Sequence, residues 1–199
     1  MKISSELIRQ IRERTGAGMM DCKKALAECS CDPEKAVELL RKMGVAAAAK
    51  RAAREASEGL VEAYVHPGGR MGALVEVNCE TDFVARTEAF NSLTRDIAMQ
   101  VVASEPLVVS RDEMPQELVE KEKEILAAQF ADSGKPGQVI EKIVEGKLEK
   151  FYKENCLLEQ PFIKDQKRSV EEVIKEAAGK FGENVLVRRF SRFRLGQSS

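Results

Sequence analysis

Covalent chemistry at neutral pH needs a nucleophile with a base beside it, or a metal held by several side chains. This chain offers few such groups. His66 is its only histidine, placed at the turn Pro67-Gly68-Gly69 with no obvious catalytic partner. The five cysteines, Cys22, Cys29, Cys31, Cys79 and Cys156, are odd in number and irregularly spaced, which does not make a disulfide framework. Cys29 and Cys31 form a C-x-C, but no second ligand pair follows at zinc spacing, so free thiols and no metal are expected. Gly134-Lys135-Pro136-Gly137 lacks the serine or threonine that a phosphate loop carries after its lysine. No cofactor site follows from these residues. The expectation is a protein that acts on other proteins without being an enzyme.

Three stretches present side chains suited to a partner. Met19 and Met20 are adjacent after a glycine break, so one narrow helical stripe cannot bury both, and methionine adapts well to protein contacts. The segment Cys79-Glu80-Thr81-Asp82-Phe83-Val84-Ala85-Arg86 puts an acid and a large aromatic at a strand-to-helix corner. Asp82 there suits the helix dipole whatever else it does. Phe83 lies seven residues before Phe90, about 20° away around an α-helix, which puts it on the core stripe. Its place in the first turn, where a helix overhangs its own core, favours the opposite direction. The third stretch is the arginine cluster Arg188, Arg189, Arg192 and Arg194, expected to be a solvated strand face.

The elements that position these residues read as follows. Residues 1–45 form three short helices. The first starts after Ser4 with Leu7, Ile8 and Ile11 inward, the second runs through MMDCKKALAE, and the third opens on Asp32-Pro33 and stops at Gly44. The alanine-rich, cationic stretch 46–58, with Lys50, Arg51 and Arg54, is a helical connector ending near Gly59. From there to 199 the pattern is α+β. LVEAYVH and RMGALVEVNC form a hairpin, with Met71, Ala73, Val75, Val77 and Cys79 on its apolar face. A helix follows from about Thr81 to Ala103 with Phe90, Leu93, Ile97 and Val101 buried. Pro106 to Val109 is a strand candidate. Pro115 opens a helix with Leu118, Ile125, Leu126 and Phe130 inward, broken by DSGKPG, and a further helix starts at Pro136. NCLLEQPFIKD reads as a loop with buried anchors, Ser169 to Glu172 as a capping box, and the chain closes with a strand.

Charged residues make up 33% of the 199 positions, yet the net charge is -1, against a dedicated nucleic-acid binder. No apolar run approaches the ~20 residues that span a bilayer, and the charged N-terminus is no signal peptide, so a cytoplasmic protein is expected.

RERTGAGMMDCKKAL at 12–26, EVNCETDFVAR at 76–86 and QPFIKD at 160–165 resemble, in order along nearly the whole chain, the translation elongation factor Ts family. The similarity is to its short form. The helix after the corner runs straight into DIAMQVVASEP, so one core half is present where longer members carry two. The resemblance implies a nucleotide-exchange factor for the GTPase elongation factor Tu. It implies a ubiquitin-associated-like domain at 1–45 that docks on the partner through Arg12, Met19 and Met20. It also implies an α+β core at 59–199 whose Thr81, Asp82, Phe83 and Val84 dislodge the partner's magnesium. The missing half implies a homodimer, two copies of each protein in the complex, with no nucleic acid and no membrane. On the residues alone two other readings stay open: a ubiquitin-associated-like adaptor without exchange activity, and a ribosome- or RNA-associated protein using the connector and the terminal arginines.

Overall fold

Local signals set most helix starts. In the computed structural model, which describes residues 3–15, 17–131 and 136–197, the Ser4 hydroxyl accepts the Leu7 amide at the head of α1 (Ser5–Thr15). After α2 (Met19–Glu28), α3 (Pro33–Ala52) begins with Asp32 accepting the amides of Glu34 and Lys35. These helices bury Ile8, Ile11, Cys22, Ala25, Leu26, Ala36 and Leu40 against one another. Gly44 does not stop α3, which continues to Ala52. A helical glycine costs only about 1 kcal/mol relative to alanine, and the alanine run beyond it carries the helix on. The connector is correspondingly helical only as far as Ala52, and the first strand starts at Glu58 rather than after Gly59.

Strands β1 (Glu58–Val65) and β2 (Met71–Cys79) form the expected hairpin, closed by the His66 amide donating to the Met71 carbonyl. His66 also has a partner, the Tyr64 hydroxyl, 3.2 Å from its Nδ1. Ala73, Val75, Val77 and Cys79 are buried, as the alternation requires. The sheet has three strands in the order β1-β2-β5, with β5 (Val185–Arg194) beside β2.

The expected helix from Thr81 to Ala103 is two helices: α4 (Asp82–Ala85) and α5 (Glu88–Ser104). Thr87 makes the break. Its hydroxyl donates to the Val84 carbonyl at 2.8 Å and accepts the Phe90 amide at 3.2 Å, ending one helix and capping the next. Pro106 to Val109 is not a strand; Val108 makes a single parallel bridge to Cys156. In α6 (Gln116–Ala131) Leu126 is buried, but Ile125 is 43% exposed, contrary to its expected inward place. The predicted break after α6 lies partly outside the described residues, and α7 (Gly137–Asn155) follows Pro136. The QPFIKD segment is more than a loop: β3 (Pro161–Phe162) pairs antiparallel with β4 (Asp165–Ser169). At the head of α8 (Val170–Phe181) the capping box is complete, Ser169 accepting the Glu172 amide at 3.2 Å and Glu172 the Ser169 amide at 3.0 Å.

The chain packs as two compact units, one of residues 1–60, 77–91 and 173–186 and the other of residues 61–76, 92–172 and 187–199. In the second, Gln100 is fully buried and fully used. Its Nε2 donates to Ser104, Gln160 and the Pro161 carbonyl, and its Oε1 accepts the Ile163 amide. Arg111 ties that unit's helices together, bonding Glu159 and Glu149 while lying 4.5 Å from the centre of the Tyr152 ring. Those two carboxylates keep the guanidinium charged, and Arg111 in turn holds Glu149 below the usual carboxylate range. Arg188, Arg189 and Arg194 are exposed, as a solvated strand face requires, and Arg192 is not. Arg189 pairs with Glu76, and Arg192, its side chain only 12% exposed, pairs with Glu105, as does Arg194.

Candidate functional site: the strand-to-helix corner

Thr81 has extended backbone angles and caps α4, its hydroxyl oxygen accepting the Val84 amide. That places Asp82 at the first helical position and Phe83 at the second. Because Thr87 ends α4 after one turn, the seven-residue phase linking Phe83 to Phe90 is broken. Phe90 is fully buried, edge-on to Phe181 at 5.9 Å, while Phe83 is 81% exposed. Periodicity had placed the two on one stripe; the break separates them. Asp82 and Val84 are half-buried, and Asp82 pairs with Arg86 at 2.8 Å along one turn.

The corner below Phe83 is held from several sides. The Cys79 thiol donates to the Thr81 carbonyl at 3.2 Å, and burial, helped by the charge of Glu183, raises its pKa. The Glu183 carboxylate accepts the amides of Glu80 and Thr81 at 3.1 Å and the Thr81 hydroxyl at 2.6 Å. Sequence reading missed Glu183. Its only local signal is an acid directly after Gly182, the residue that ends α8 at φ +75. Arg54, first read as part of a cationic connector, pairs with Glu80 at 3.3 Å.

Arg12, Met19 and Met20 lie in the same compact unit and are all exposed, the two methionines at 47% and 63%. Gly18 precedes α2, and Cys22 rather than either methionine is its first inward residue. Phe83 is thus a bare aromatic on an anchored turn, and Met19 and Met20 are a pair of bare thioethers. Among the described residues no group of three or more His, Cys, Asp and Glu side chains is placed to hold a metal ion.

Comparisons with known proteins cover nearly the whole chain. The family model of elongation factor Ts matches residues 5–197. A protein of Carboxydothermus hydrogenoformans named elongation factor Ts is 60% identical over 195 residues, covering 98% of this chain and 90% of its own length. One of the same name from Caldanaerobacter subterraneus subsp. tengcongensis is 58% identical, covering 98% of both chains. Another from Moorella thermoacetica is 60% identical, covering 98% of this chain and 96% of its own. With family model and relatives spanning almost every residue, the chain belongs to the elongation factor Ts family of translation elongation factors.

Proposed function

We propose that this chain is a guanine-nucleotide exchange factor, binding elongation factor Tu with GDP in the cytoplasm and promoting GDP release so that GTP can enter. The observation that carries this is Phe83, bare to solvent on a one-turn helix whose cap is anchored from below. GDP is held by phosphate contacts and by a magnesium ion that neutralises them. A factor that stabilises the nucleotide-free partner therefore needs no covalent chemistry. In this reading Thr81, Asp82, Phe83 and Val84 wedge against the partner and displace its magnesium, while Arg12, Met19 and Met20 dock. Coupling is reciprocal: nucleotide weakens the factor's binding as much as the factor weakens nucleotide's. Exchange is thus sped in both directions, and the cellular GTP and GDP levels set the outcome. Release of a fluorescent GDP from purified elongation factor Tu is expected to accelerate when this protein is added; release at the unassisted rate refutes the reading.

The partner complex is two of each protein, built on a homodimer of this chain. Support comes from the sheet. Val61 and Val65 of β1 and Leu74 of β2 are 66%, 67% and 45% exposed, an apolar surface that a second copy covers. No disulfide through Cys156 holds such a dimer. That thiol is fully buried and its pKa is pushed up to about 11 by burial, with the Glu159 charge adding to it. Leu74→Glu is expected to turn a dimer into a folded monomer in sedimentation at micromolar concentration. A wild-type chain that sediments as a monomer, or a variant that stays dimeric, removes the proposed interface.

A further inference from the structure

Glu183 is distant in sequence from the corner, yet its carboxylate takes the Thr81 hydroxyl at 2.6 Å. It occupies the three-residue link between α8, ended by Gly182, and β5, which starts at Val185. The Gly182 amide closes on the Ala178 carbonyl at 3.0 Å, and Ala178 and Val185 are buried, so both ends of the link are fixed. From there both oxygens of the carboxylate are committed to the corner: Oε2 to the Glu80 and Thr81 amides, Oε1 to the Thr81 hydroxyl. The link is held in return. The Glu80 carboxylate accepts the Asn184 amide, and the Asn184 side chain, 6% exposed, donates to the Arg54 carbonyl at 2.9 Å. Two carboxylates thus cross between the link and the corner: Glu183 takes the Glu80 and Thr81 amides, and Glu80 takes the Asn184 amide.

We infer that Glu183 is a positioning residue for nucleotide exchange: its clasp on Glu80 and Thr81 holds the backbone from which Phe83 projects. The inference rests on the function proposed above. Thr81 has no polar group left over. Its amide and hydroxyl go to Glu183, and its carbonyl accepts Cys79 and Ala85. A bare phenyl ring on a loose turn folds back onto its own protein and must be ordered again on binding. On a clasped turn that ordering is already done. Glutamine at 183 is a poorer substitute: one oxygen is left for the two amides, the charge that strengthens those bonds is gone, and the Thr81 hydroxyl must turn from donating to accepting.

The test is GDP release from elongation factor Tu, measured with the full chain carrying Glu183→Gln, Phe83→Ala, or both. Glu183→Gln is expected to slow release about tenfold, and to speed hydrogen exchange at amides 80–84 while α8 amides stay protected. In the Phe83→Ala background it is expected to add nothing, since the group it positions is gone. Glu183→Asp, which keeps the carboxylate but shortens its reach, and Glu80→Gln, which weakens the return bond to the Asn184 amide, should each slow release as well; this pair decides the matter if Glu183→Gln fails to fold, wild-type speed in both overturning the inference. Release at wild-type speed in Glu183→Gln overturns the inference, as does equal slowing with and without Phe83, the mark of a merely structural role. Should Phe83→Ala alone leave exchange unchanged, the wedge reading itself fails and this inference falls with it. Slow Phe83→Ala beside fast Glu183→Gln sinks only the positioning role.

Discussion

Phe83→Ala is expected to cut this protein's acceleration of GDP release ten- to a hundredfold while leaving its melting temperature nearly unchanged. Both halves of the expectation come from the same fact, the 81% exposure of the ring. Burying a phenylalanine in a partner's pocket contributes roughly 1.5–3 kcal/mol, which is about that range in affinity. Removing an exposed side chain changes stability by only about 0.5 kcal/mol, or roughly 2 °C for a chain of this size. A variant that melts early returns Phe83 to the core. One that exchanges at full speed while folded leaves the corner without its proposed role. Phe83→Leu, which keeps an apolar side chain, should fall between.

The second large effect concerns stability. Gly59→Ala is expected to destabilise the fold by about 3–5 kcal/mol, lowering the urea midpoint and the melting temperature by about 10 °C. Gly59 has φ +145, and a Cβ there would lie 2.1 Å from the Val77 carbonyl oxygen and 2.8 Å from the Asn78 Cα. Both are backbone atoms of the neighbouring strand and cannot swing aside, so β1 must lift off β2. The same substitution at Gly146, within α7 and with nothing inside 4 Å, should instead stabilise by about 1 kcal/mol. A Gly59→Ala protein that unfolds at the wild-type urea midpoint refutes the close approach of the strands.

What could be read from the sequence was local. Asp32-Pro33 and Ser169 to Glu172 cap their helices through bonds no more than three residues long, so composition betrays them. The alternation in β2 is equally plain, because one face of the hairpin is buried. Where the reading failed, two local signals competed. Gly44 was weighed as a stop against an alanine run that keeps the helix going. Thr87 was lost inside a pattern whose apolar spacing continues across it; that spacing drew Phe83 toward the core stripe, while its place in the first turn pointed outward, as its exposure bears out. The clasp at the corner has no local signature. Glu183 and Glu80 belong to segments that meet only in three dimensions, and each looks like one more surface acid. Family resemblance pointed to Thr81–Val84 but not to what holds them.

The clasp also sets an order in time. Its bonds join residues 102 and 103 positions apart, whereas the helices of residues 5–52 meet over separations of a few tens. Local contacts form early and distant ones late, and a chain is made from its N-terminus. The N-terminal helices can pack while most of the protein is still unmade. The corner acquires its clasp only once synthesis has passed Glu183, about a hundred residues after the corner itself. A nascent chain halted before that point has Phe83 but no fixed direction for it.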